Sequence, residues 1–146
     1  MTIEDLLQEI LTGANWTYPV SFYTGVRSEH NLMHDQRNFP AVLQIEPVVS
    51  SDDIKLSGLI EPTYDIMLLF AMKSELDWPQ EKHNTECITP MRQLSRKFII
   101  SATNNKKVKT IKNVKRTNFI NLFDVGMSGI VFTGSITPQN DETLCL

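Results

Sequence analysis

The sequence predicts an α+β fold, in which an antiparallel or mixed β-sheet carries a short N-terminal helix and one longer helix on one face. Three observations predict it. Apolar residues recur at helical spacing near the N-terminus, a longer helical stripe lies in the middle of the chain, and other apolar segments alternate as strands do. The predicted order is one helix, two or three strands, one long helix and three strands, which favours helices on a single face.

The first helix is predicted over residues 2–12. Thr2 is a suitable N-cap, and Glu4 and Asp5 fall in the first turn, where the helix dipole favours acidic groups. Gly13 is a suitable C-terminal residue. The helix is short, so its apolar stripe must pack on another element; the stripe consists of Ile3, Leu6, Leu7, Ile10 and Leu11.

Three strands are predicted next, at residues 19–24, 39–47 and 63–72. The second is bracketed by Pro40 and Pro47, which strands tolerate at their ends or at a sheet edge. The third contains the longest apolar run of the chain, which favours a central strand covered on both faces. The polar segments between these strands are predicted to be an exposed loop at residues 25–38 and a hydrophilic turn at residues 50–58.

A long helix is predicted to begin around Asp77, which would cap it, and to run to about Ala102. Pro90 leaves two alternatives: the helix kinks there, or it begins anew with Thr89 as the cap and Pro90 in the first position. We favour one broken or kinked helix, with residues 90–102 as its secure part. Its apolar stripe consists of Cys87, Ile88, Met91, Leu94, Phe98, Ile99 and Ala102.

The C-terminal third predicts strands at residues 108–115, 117–123 and 129–136, followed by a loose tail at residues 138–146. A chain of 146 residues is the size of one domain, so we expect a single domain over residues 1–146. Its 41% hydrophobic and 21% charged residues are typical of a globular protein. The longest apolar run is shorter than the roughly 20 residues that cross a bilayer, so no membrane association is expected.

The charge is distributed unevenly along the chain. Residues 106–116 hold six basic residues and no acid, whereas the rest of the chain holds eight basic and 17 acidic residues. On a strand these basic residues would project to both sides, so we expect a hairpin or an extended arm that reaches out of the domain. The six residues are Lys106, Lys107, Lys109, Lys112, Lys115 and Arg116.

Two interpretations of this basic segment remain open. It is either a solvated edge hairpin, whose lysines block stray strand pairing, or a contact surface for nucleic-acid phosphates or an acidic partner. No aromatic residue interrupts it before Phe119, so base stacking is not indicated and any DNA contact would be non-specific.

Little in the sequence points to catalysis, a cofactor or a metal. His30 and His34 are four residues apart, as are His83 and Cys87, but nothing joins the two pairs into a metal site. The segment at residues 126–129 lacks the spacing of a serine elbow, and a turn that needs positive φ explains its glycines better. The two cysteines, which include Cys145, indicate reduced thiols rather than a disulfide framework.

The succession of elements resembles the tail-terminator and tail-completion proteins of tailed bacteriophages, and the related neck ring proteins of short-tailed, crAss-like phages. The resemblance covers residues 2–137 and lies in pattern and length. It rests on the short N-terminal helix, the segment 39–45, the run 64–70, the helix containing Ile88, Met91, Leu94 and Phe98, and the closing strands at 118–124 and 129–136.

This resemblance implies a structural virion protein that connects portal and tail. Its subunits would form a closed ring of six or twelve copies, stacked on other neck, portal or tail proteins, with DNA passing through the lumen. The protein would be made in the bacterial host cytoplasm and would carry no catalytic residues. The basic segment would be its arm, in contact with DNA or with a neighbour. The alternative is a small non-specific nucleic-acid-binding or regulatory module that uses residues 106–116.

Overall fold

The computed structural model describes residues 2–16, 19–23, 40–44, 49–54, 56, 58, 60–120 and 126–139. It confirms the predicted α+β fold with a mixed six-stranded sheet. Two helices pack on the sheet, α1 at Ile3–Thr12 and α2 at residues 80–104. The strands are β1 at Ser21–Tyr23, β2 at Ala41–Gln44, β3 at Val49–Ile54, β4 at Ile60–Lys73, β5 at Val108–Phe119 and β6 at Met127–Pro138.

Helix α1 forms as the sequence predicts. Thr2 and Asp5 make a reciprocal capping box, in which each side chain accepts a hydrogen bond from the other's backbone N–H. All five predicted apolar residues are buried. Gly13 ends the helix at an ordinary φ of −70°, and it is needed for space, because a methyl group there would lie 2.7 Å from the Ser101 hydroxyl of α2.

Helix α2 begins at Gln80, after Pro79 in the N-cap position, so the predicted Asp77 cap was wrong. The helix continues through Pro90 and does not restart at Thr89. A proline lacks a backbone donor and crowds the carbonyl group four residues before it. The crowded carbonyl group is that of Glu86, and Glu86 lies within a π-helical segment at Asn84–Ile88. There the Thr89 N–H donates to the Asn84 carbonyl oxygen five residues back.

The strand order in the sheet is β1-β2-β4-β6-β5, and β3 also pairs with β4. The β1–β2 pair is parallel and the other pairs are antiparallel. We call the face under α1 and α2 the helix face and the opposite one the outer face. The helix face carries the main core, where Phe70, Phe98 and Phe132 meet edge to face with centroids 5.4–5.8 Å apart.

Strand β4 is covered on both faces only in its second half. Residues Leu68, Leu69, Phe70 and Ala71 are all buried, as predicted, whereas Met67 is 40% exposed. Residues 60–65 of β4 form a hairpin with β3, and the register of β4 with β6 begins at Tyr64.

The segment predicted as a hydrophilic turn at residues 50–58 is therefore partly a strand, and that prediction was wrong. All six residues of β3 are exposed, so no alternation of apolar side chains marks it in the sequence. Cross-strand pairing with β4 from Val49↔Asp65 to Ile54↔Ile60 gives it its structure.

The basic segment belongs to the sheet and is not an arm that leaves the domain. Residues 108–119 form one continuous strand, β5, in place of the two strands predicted there, and it pairs with β6 along its length. Strand β6 begins at Met127 and ends at Pro138, and the Gln139 N–H donates to the Lys107 carbonyl oxygen. Among the described helices, none is long and apolar enough to span a membrane.

Candidate functional site

The basic strand β5 lies at the edge of the sheet. Of the described strands, only β6 pairs with it, so its other side presents backbone N–H and C=O groups without a strand partner. Four of the six predicted contact residues lie on this strand; the other two, Lys106 and Lys107, belong to the turn between α2 and β5.

A bulge in β5 changes the face of the sheet on which its charged side chains lie. The register shifts by one residue between Lys112↔Ser135 and Lys115↔Thr133, and Asn113 takes a φ of +58° there. In a regular strand, residues three apart point to opposite faces, as the sequence analysis assumed. The bulge places Lys112 and Lys115 together on the outer face, whereas Arg116, opposite Phe132, lies on the helix face.

Three of the six cations are held by groups within the domain. Lys107 Nζ lies 2.9 Å from Glu9 Oε1 of α1, and Lys109 Nζ lies 2.6 Å from Glu61 Oε2 of β4. The Arg116 guanidinium donates to two acceptors on α2, the Ser95 hydroxyl at 3.3 Å and a backbone carbonyl oxygen at 3.4 Å. These three residues therefore attach β5 to its own fold.

Among these partners, the Glu9 carboxylate accepts hydrogen bonds from two side chains. Besides Lys107 it accepts a hydrogen bond from the Asn105 amide at 3.1 Å. The hydrogen bond from Lys107, then that from Asn105, hold the pKa of Glu9 below its ordinary value of 4.5. This cluster fastens the C-terminal half of α1 to the start of β5.

The other three cations, Lys106, Lys112 and Lys115, are exposed and have no hydrogen bond or ion pair with any residue that the structure describes. Lys115 lines a shallow groove of about 400 Å³ on the outer face. Within it the Ser135 hydroxyl donates to Asp65 Oδ1 at 2.6 Å. The structure thus reduces the six predicted residues to three with charge available for an outside partner.

A second exposed feature, which the sequence analysis missed, is the β3–β4 hairpin. Large apolar side chains are exposed around its end: Ile54 is 73% exposed, Ile60 is 52% exposed, and Leu56 between them is fully exposed. Asp52 and Asp53 precede them on β3, and both are exposed. The signal in the sequence was the presence of three aliphatic residues in an otherwise hydrophilic segment.

Several negatively charged side chains lie near the base of this hairpin. The pKa of Tyr64 is raised, first by burial and then by the negative charges of Asp52 and of Glu4 on α1. Asp53 lies directly opposite Glu61 in the β3–β4 register, and like charges in that arrangement repel. Lys109 offsets part of this repulsion through its ion pair with Glu61.

The interior contains one polar cluster that the sequence did not reveal. Ser128 Oγ lies 3.0 Å from His83 Nδ1 and 3.2 Å from Ser74 Oγ, and all three side chains are buried. A serine beside a histidine can act as a nucleophile, but it must also meet a substrate. With both partners no more than 1% exposed, this cluster instead joins α2 to β4 and β6.

His83 and Cys87, one of the two pairs weighed in the sequence analysis as metal ligands, each hydrogen-bond to other groups in the fold. The Cys87 thiol donates to the Lys73 carbonyl oxygen at 3.4 Å, and burial, then Glu86, raises its pKa to about 11. His83 is engaged with Ser128. His30, His34 and Cys145 lie outside the described residues. Across the part of the chain that is described, no group of His, Cys, Asp and Glu side chains could hold a metal ion.

Comparison with known proteins gives no further indication of function. No protein-family model matches the chain, and no curated protein shows significant sequence similarity to it.

Proposed function

We propose that this chain is a ring-forming structural subunit of the neck or tail of a tailed bacteriophage, which connects portal and tail and lets DNA pass. The β3–β4 hairpin is the observation that carries this proposal. Its apolar side chains Ile54, Leu56 and Ile60 are exposed together, away from the core that α1 and α2 cover. Apolar groups gathered on a projecting element are typical of a protein–protein contact.

The arrangement of elements supports the same function. The resemblance to tail-terminator proteins rests on a short helix, strands, a long helix and a closing strand pair. The fold contains the first four of these as α1, β2, β4 and α2, and the last strand, 129–136, lies within β6; the segment 118–124 overlaps β5 only at residues 118–119. Among the described strands, β1, β3 and β5 each pair with one strand only, which suits a subunit that contacts its neighbours through strand edges.

Purified phage particles test this proposal. We expect mass spectrometry of the phage that encodes the chain to find it in intact particles at six or twelve copies per portal. Electron micrographs of the isolated protein should show rings with an open centre. A chain that is absent from particles and forms no ring in micrographs would contradict the proposal.

A second function is favoured by one observation, the three exposed lysines without a described partner. Lys106, Lys112 and Lys115 could contact nucleic-acid phosphates from one edge of the sheet, as a non-specific nucleic-acid-binding module would. In a ring the same residues could contact the DNA that passes through the lumen. Such binding would depend strongly on salt and little on sequence.

A pair of triple variants separates this function from a structural role of the basic segment. Replacing Lys106, Lys112 and Lys115 by Ala should weaken duplex DNA binding, and should reduce the slope of log K against log salt by about 1 for each lysine that contacts a phosphate. The matched variant replaces Lys107, Lys109 and Arg116, whose charges are held inside the domain, and should change the slope less. Equal effects would count against this function, and so would a wild-type protein that binds no DNA at low salt.

A further inference from the structure

Two strand edges of this fold carry opposite charge. Strand β3 pairs only with β4 among the described strands, and its six residues include Asp52 and Asp53 but no basic residue. Strand β5 pairs only with β6, and it carries Lys109, Lys112, Lys115 and Arg116 but no acid. Each edge has backbone groups available for one more strand.

Lysines on an edge strand commonly prevent pairing with other strands. That effect depends on the charge of the incoming strand. Two copies of β5 would bring like charges together across the new pair, and so would two copies of β3. A β3 strand facing a β5 strand would instead place carboxylates opposite ammonium groups, which is favourable. The charges therefore favour a head-to-tail pair of β3 with β5 and disfavour the two symmetrical pairs, β3 with β3 and β5 with β5.

The faces of the two strands also agree. Asp53 lies on the outer face, opposite Glu61 in the β3–β4 register, and Lys112 and Lys115 lie on the outer face because of the bulge at Asn113. A sheet continued from β5 into another copy's β3 thus brings Asp53 together with Lys112 and Lys115 on the outer face.

We propose that β3 of one copy adds to the β5 edge of a second copy and continues its sheet. Each edge is therefore covered by another copy of the same chain: the β5 edge by that copy's β3, and the β3 edge by that copy's β5. This inference rests on the proposed ring function and supplies the contact between neighbours. Ile54 is the last residue of β3 and Leu56 lies two positions beyond it, so both enter the same contact and add buried apolar area.

An interface of this kind is heterologous, since each copy contributes β3 on one side and β5 on the other. Repeated around an axis it closes into a ring if the rotation per subunit permits. Subunit association should also weaken as salt is added, because the selecting charges are exposed.

Charge reversal tests the pairing. Variant A carries Lys112→Glu and Lys115→Glu, so the outer-face charges of its β5 become acidic, like those of its β3; variant B carries Asp52→Lys and Asp53→Lys, so both of its edges are basic. We expect each variant alone to have the mass of one chain at a concentration where the wild type is oligomeric. An equimolar mixture should regain the wild-type mass, because every A–B contact then joins an acidic edge to a basic one.

Matched controls carry the same change in charge on α2, away from both edges: Arg96→Glu with Lys97→Glu for A, and Glu81→Lys with Glu86→Lys for B. They should keep the wild-type mass. Circular dichroism before mixing shows whether A and B are folded, and exposed substitutions of this type should leave their spectra like that of the wild type.

The outcomes separate the two proposals. If the wild type assembles and either A or B assembles equally well alone, the β3–β5 pairing is wrong while the ring function stands. A mixture of folded A and B that stays monomeric also overturns the pairing. A wild type that is monomeric at every concentration contradicts both.

Discussion

Two glycines of β6 should respond in opposite ways to the same substitution. Gly129 pairs with Ala71 of β4, and a methyl group there would overlap the Phe70 carbonyl oxygen and lie 3.2 Å from the Met91 side chain. The sequence analysis attributed Gly129 to a turn with positive φ, which holds for Gly126 at +50° but not for Gly129. Gly129 is required because strand β4 approaches it closely.

Gly134 is the matched control on the same strand. A methyl group there would make ordinary contacts, the nearest at 3.4 Å to the Val114 side chain. Glycine within a strand costs about 0.5–1 kcal/mol relative to alanine. Gly134→Ala should therefore raise the free energy of unfolding by up to about 1 kcal/mol. Gly129→Ala should lower it by about 2–3 kcal/mol, the usual cost of forcing a methyl group into filled space.

Urea unfolding followed by circular dichroism measures both effects as shifts of the midpoint at a common m-value. The measurement should be repeated at several protein concentrations, because subunit association would make the midpoint depend on concentration. If Gly129→Ala and Gly134→Ala change stability equally, the close approach of β4 and β6 at Gly129 is refuted.

Three further predictions concern single side chains. Glu9→Gln should lower stability at neutral pH by less than about 1 kcal/mol, because Glu9 is exposed. Its pKa is lowered, so this difference should persist above pH 4.5 and vanish as pH falls through the folded pKa; a constant difference would contradict it. In Cys145→Ser, the remaining thiol, Cys87, should resist labelling at pH 8 until urea unfolds the chain, and immediate labelling would refute its burial. Phe98→Ala should lower the unfolding free energy by about 3–5 kcal/mol, measured by urea midpoint; a loss below about 1 kcal/mol would contradict the aromatic core.

The elements that local patterns determine were predictable. Helix α1 combines a capping box with apolar residues at helical spacing, and both signals lie within twelve neighbouring residues. The stripe of α2 was predicted equally well, since Cys87, Met91, Leu94 and Phe98 are all buried. The fold class followed from the order of these elements.

Strand β3 and the display of charge on β5 were not predictable, because both depend on partners distant in sequence. Strand β3 has no buried face, so only its pairing with β4 defines it. The bulge that places Lys112 and Lys115 on one face becomes evident only in the register with β6. The buried contact between His83 and Ser128 joins residues 45 positions apart, and no local pattern marks it.

The basic segment shows why residue counts alone give an incomplete description of a candidate surface. Six adjacent cations suggested one positively charged arm. In the fold, Lys107 and Lys109 are bound by Glu9 and Glu61, and Arg116 is bound by α2. These contacts leave three exposed lysines, Lys106, Lys112 and Lys115, without a described partner. They lie along the β5 edge of the sheet.

The central claim, that the chain works as a ring subunit, is tested most directly by native mass spectrometry of the purified protein over a range of concentrations. A ring subunit should give one closed species whose mass is a fixed multiple of the 16.7 kDa chain, and this species should dissociate as salt is raised. A mass of one chain at every concentration and salt would contradict it.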